Sequence, residues 1–142
     1  MNMSYEYDIN KEKREAIEAG ERALNSLRCA QRELDSARNW GFFDMFGGRG
    51  ISTFVKHSKM NNAQQYMERA KYDLQAFSRE LRDVSGYMNF DFNTGDFLSF
   101  ADYFFDNFLV DLMVQNRINN AKRQIDEAIW RVEDIIRSLR MA

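Results

Sequence analysis

Apolar residues recur at helical spacing in three stretches of the chain. In the first, Ile9, Ala16, Ala23, Ala30 and Ala37 fall seven apart, and Gly20, Leu27 and Leu34 occupy the position four later. This predicts a helix of about nine turns over residues 8–39, with small seam residues that allow close approach of a neighbour. In the second, Met60, Ala63, Met67, Ala70, Leu74, Phe77, Leu81 and Val84 alternate three and four apart without a break. This spacing predicts a helix over 61–85, with Asn61 or Asn62 as N-cap, Gln65 placed to reach back to it, and Gly86 just past its end. In the third, Val114, Ile118, Ala121, Ile125, Ala128, Val132, Ile135 and Leu139 predict a helix over 104–140. Each stripe is narrow, which suits coiled-coil packing. The expected fold is all-α: one domain, an antiparallel bundle of three long helices with coiled-coil character, and short extra helices at two aromatic corners.

The segments between the stripes carry an internal repeat. Phe42, Phe43, Asp44, Met45 and Phe46 are followed by Lys59, Met60, Asn61, Asn62 and Ala63, while Phe104, Phe105, Asp106, Asn107 and Phe108 are followed by Arg117, Ile118, Asn119, Asn120 and Ala121. Both copies read F-F-D-x-F, a spacer, then [K/R]-[M/I]-N-N-A, so the repeat is architectural before it is chemical. The segment 40–59 reads as a glycine corner with a short helix capped by Ser52 or Thr53. The segment 86–103 reads as an aromatic linker, within a stretch where Tyr87, Phe90, Phe92, Phe97, Phe100, Tyr103, Phe104, Phe105 and Phe108 crowd together.

Composition narrows the partner classes. The 142 residues contain no proline, which favours uninterrupted helices. Charged residues make up 30% of the chain and nearly cancel at a net −2, a mixed surface that argues against nucleic acid. The single cysteine, Cys29, has no internal partner and points to a reducing compartment. Met1 to Asp8 are polar, with no apolar run after them, so neither a signal peptide nor a membrane span is expected and the expected location is cytoplasmic.

The candidate chemistry is sparse. In each corner the aspartate is placed to cap a helix while the phenylalanines plug the bundle end. Pairing Asp44 with Asp106 as a two-carboxylate site would require corners at the same end, whereas a three-helix bundle sets them about 35 Å apart. His57 is the only histidine, so a metal site would have to be mixed, with Asp44 and His57 as its ligands. Gly47, Gly48, Arg49, Gly50, Ile51, Ser52 and Thr53 resemble an anion-binding turn but lack the Gly-Lys-Ser/Thr of a phosphate loop. Asp91, Asn93, Gly95 and Asp96 lack the bidentate glutamate of a calcium loop. No nucleophile and base stand together, so no enzyme and no cofactor are expected.

Trp40, Asp44, Gly47, Gly48, Ser52, Lys56 and His57, with Phe105, Asp106 and Asp111 further on, form W-x-x-x-D-x-x-G-G, then S-x-x-x-K-H, then F-D and a downstream aspartate. In these motifs the chain resembles an uncharacterised family of bacterial helical proteins. The resemblance implies a bacterial, helical protein without catalytic activity. The expected function is that of a non-enzymatic scaffold or protein-interaction module. It would act through its heptad seams and through Tyr87, Phe90, Phe92, Phe97, Phe100 and Tyr103, as a homodimer or with another protein. The alternative is a small-ligand, anion or metal protein using the glycine corner with Asp44 and His57.

Overall fold

The computed structural model describes the backbone of residues 3–45, 51–87, 94–114 and 117–142, and the side chains of 6–39, 58–86, 97, 99–108, 110–112 and 117–142. Among the described residues the chain is all-α, with four α-helices and no strand. They are α1 (Met3–Met45), α2 (Ile51–Tyr87), α3 (Thr94–Leu109) and α4 (Ile118–Met141), with a π-helical turn at Val110–Val114 between the last two.

The apolar stripes become the core. All eight periodic positions of the second stripe, from Met60 to Val84, are buried, as are Ala16, Ala23, Leu27, Ala30, Leu34 and Ala37 of the first and Ala121, Ile125, Ala128, Val132 and Leu139 of the third. Small residues on α1 bring its neighbours close. A Cβ at Gly20 would lie 2.9 Å from Ile136 Cδ1 and 3.0 Å from Phe77 Cε1, so α1, α2 and α4 converge on this one glycine.

Cross-helix contacts define the direction of each element. Gly20 lies by Phe77, Ser26 bonds Asp73 and Glu33 pairs with Lys59, so positions rise along α1 as they fall along α2. Glu21 with Arg140, Arg28 with Glu133 and Asp35 with Lys122 run α1 against α4 in the same opposed sense. Phe97 meets Phe77 and Phe105 meets Lys71, which runs α3 against α2. Contacts between α1 and α2, α2 and α3, α3 and α4, and α4 and α1 close a four-membered ring.

Four departures from the expected boundaries have physical causes. First, α2 is continuous from Ile51, so the separate short helix and the break before residue 61 do not exist. Asn61 and Asn62 are interior positions and not caps, and Ser52 and Thr53 fall inside the first turn. Nothing between Ile51 and Ser85 is a glycine or proline, and interior asparagine costs only about 0.5 kcal/mol. Second, the helix passes Gly86 to end at Tyr87.

Third, the expected aromatic linker is a helix from Thr94. Phe97, Ala101, Phe104, Phe105 and Phe108 are its buried face, making α3 a fourth member of the bundle where three long helices with short extra ones at the corners were expected. Fourth, the last helix does not run unbroken over 104–140. The backbone widens into the π turn, Arg117 N–H donates to Asp111 O, and α4 starts at Ile118. Phe100 meets Arg131 and Asp111 meets Gln124, so α4 runs opposite to α3 and is a separate helix beyond the π turn.

Candidate interaction face

The face made by α3 and α4 carries a run of aromatic rings. Phe100 stacks on Phe104 with centroids 6.0 Å apart and planes 14° from parallel, and Phe104 continues to Phe105 at 5.0 Å and Phe108 at 6.2 Å. The last three rings are buried, whereas Phe100 is half-buried at the lip of the groove. Across from it the Arg131 guanidinium sits 4.1 Å from the Phe100 ring centroid, a close cation–π contact. Tyr103, Asn107, Gln124 and Glu127 complete a groove of about 400 Å³.

Its electrostatics differ from those of the opposite seam. Toward α1, the polar side chains of α4 reach across: Lys122 to Asp35, Asp126 to Gln31, Glu133 to Arg28 and Arg140 to Glu21. Toward the groove, Glu127 pairs with Arg131 at 3.3 Å within α4 itself. The bond from Gln124 Nε2 to Asp111 Oδ2 ties the foot of α4 to the π turn. One large exposed aromatic stands on this side, Tyr103 at 71% exposure, whereas the exposed Trp130 shares the helix row of Asp126 and Glu133, which reach toward α1.

The residues expected to bind a partner separate in the structure. Tyr103 is exposed and Phe100 half-exposed on the groove. Phe97 is buried against Phe77, which corrects its expected place on an outer surface: it faces the core from the first turn of α3. Tyr87 ends α2, and its side chain lies outside the described residues, as do Phe90 and Phe92.

Asp44 lies in the last turn of α1, one residue before its end, and His57 lies in α2; both side chains are outside the described residues. The expected helix-capping role of the corner aspartates is corrected by their positions. Asp44 belongs to the C-terminal end of α1, and Asp106 is an exposed residue in the last turn of α3. Of the phenylalanines in the second copy, Phe104, Phe105 and Phe108 are buried.

A second polar cluster went unanticipated in the sequence. Glu12 and Glu15 on α1 and Glu80 on α2 bring carboxylate oxygens within 4.8 Å of one another. Burial pushes the Glu80 carboxyl above its ordinary value, helped by Glu15, Asp83 and Glu12 and opposed by Arg22, and its Oε2 has no hydrogen-bond partner. Giving one oxygen each, the three carboxylates supply no more than half the ligands calcium usually takes, and burial with mutual repulsion weighs against the charged form of Glu80, so repulsion is the main property of the cluster. Its only sequence signal is a glutamate beside the apolar stripe at Phe77 and Leu81.

No protein family, curated protein or solved structure matches the chain. Among the described residues no helix is long and apolar enough to cross a membrane.

Proposed function

We propose that this chain is a non-enzymatic helical interaction module, an antiparallel bundle of coiled-coil character whose working surface is the α3–α4 face. One observation carries the proposal: the charged contacts of α4 are asymmetric. Its ion pairs on the α1 side reach across to the neighbouring helix, while on the α3 side the ion pair is Glu127 with Arg131 within α4, and α4 reaches across through Arg131 on the Phe100 ring and Gln124 on Asp111. Exposed aromatic rings next to a charged pair combine apolar contact area with orientation, as at the centres of protein interfaces. The long α1–α2 hairpin supports the reading as a rigid mount, since its seam is filled by alanine, leucine and methionine and anchored at Ser26 and Asp73.

The test replaces Tyr103 by a photo-crosslinking phenylalanine analogue in cells that make the protein. Tyr72, which is 67% exposed on α2, is replaced in the same way as the control. Adducts at position 103 and none at position 72 are expected. No adduct at 103, or equal adducts at both positions, would contradict the proposal.

A further inference from the structure

We propose that the occupant of the α3–α4 face is a second copy of this chain, bound about a two-fold axis with the two α4 helices antiparallel. This deepens the interaction reading above and rests on it. Asn120, Gln124, Glu127, Arg131, Asp134 and Ser138 alternate four and three apart along α4 and therefore form one line on the groove side of the helix. A two-fold axis midway between Glu127 and Arg131 sets Glu127 of each copy opposite Arg131 of the partner subunit. The same register sets Gln124 opposite Asp134 and Asn120 opposite Ser138, so no like charges face each other along the line. A parallel arrangement in register would set Glu127 against Glu127 and Arg131 against Arg131. Charge alone therefore selects the antiparallel one.

The aromatic positions fit the same axis. Phe100 stands against Arg131, and Tyr103 and Phe104 share the groove with Glu127, so an axis between Glu127 and Arg131 passes beside Tyr103. Two tyrosines from the two copies then meet near the axis on the α3 flank. Along α3 this register puts Asp106 opposite Ser99, again without like charges. The Glu127–Arg131 pair within each copy becomes part of a four-charge network on association.

The face is of modest size. The 16 residues of α3 extend about 24 Å, and two helices side by side are about 20 Å wide, which lies at the low end of specific interfaces. The dimer is therefore expected to dissociate on dilution.

Sedimentation velocity over a wide concentration range tests this, with circular dichroism to establish that each variant is helical. The wild type is expected to move from monomer to dimer as concentration rises. Glu127→Arg alone and Arg131→Glu alone are expected to remain monomeric, because each sets like charges across the axis. An equimolar mixture of the two variants is expected to dimerise, since every cross-axis pair then joins opposite charges. A wild type that is monomeric throughout, a dimer that survives either single change, or a mixture that stays monomeric would overturn the proposal. If the two-fold dimer fails while adducts to another protein form at position 103, the interaction face stands and only its occupant is wrong. If no adducts form there, both fall.

Discussion

Phe97 meets Phe77 edge to face, with ring centroids 5.9 Å apart and planes at 87°. Both rings are buried, so the first turn of α3 is sealed to the C-terminal part of α2. Phe97→Ala is expected to cost about 3 kcal/mol, the range for removing a core phenylalanine. Phe100→Ala, at the half-buried lip, is expected to cost about 1 kcal/mol. Urea denaturation of the two variants checks the ordering, and a Phe97→Ala protein as stable as the wild type would detach α3 from the core.

Gly20 is expected to tolerate only the smallest side chain. An added Cβ comes within 2.9 Å of Ile136 and 3.0 Å of Phe77, but alanine also brings about 1 kcal/mol of helix propensity over glycine. Gly20→Ala should therefore lie within about 1 kcal/mol of the wild type, whereas Gly20→Leu should lose about 3 kcal/mol through overpacking. Thermal unfolding of the pair tests this, and a leucine variant of undiminished stability would refute the three-helix convergence.

Ser26 is 2% exposed, and its hydroxyl donates to Asp73 Oδ2 at 2.6 Å. Ser26→Ala leaves the carboxylate short of a donor and is expected to cost about 1.5 kcal/mol, typical of a hydrogen bond to a charged group. Adding Asp73→Ala should cost less than the two single losses summed, and additive losses in a double-mutant cycle would show that the bond does not couple them.

Glu80 makes stability depend on pH in an unusual direction for a carboxylate. Because burial and the facing Glu15, Asp83 and Glu12 hold its folded value above the ordinary 4.5, the folded state binds this proton more tightly than the unfolded chain does. Its favourable contribution is complete below the ordinary carboxylate value and is lost as pH rises through the folded one. Glu80→Gln is therefore expected to raise the melting temperature at neutral pH, with the advantage over wild type vanishing below about pH 4. An advantage that is absent at neutral pH or unchanged in acid would contradict the assignment.

The long helices were legible because their burial follows a single period. Every position from Met60 to Val84 that the spacing marks as apolar is buried. The fourth helix was hidden by its own richness in aromatics. Phe97, Ala101, Phe104 and Phe108 keep helical spacing, but Phe92, Phe100, Tyr103 and Phe105 interrupt the stripe and make the segment look like a linker. Asp111 gave no warning of the π turn, since the backbone of Arg117 and the side chain of Gln124 both bond to a residue inside an apparently continuous heptad. Of the expected partner residues with described side chains, Tyr103 and Phe100 reach the surface and Phe97 does not, because each step of three residues along α3 rotates the side chain further from the buried face. Glu80 escaped notice because its neighbours Glu12 and Glu15 come from another helix.

The most direct test of the interaction face is hydroxyl-radical footprinting of the wild type in dilute and in concentrated solution. Tyr103 is expected to lose reactivity as concentration rises, while Tyr72 and Tyr7, 67% and 65% exposed on α2 and α1, keep theirs. Unchanged reactivity at all three residues, or protection at Tyr72 in place of Tyr103, would contradict the account.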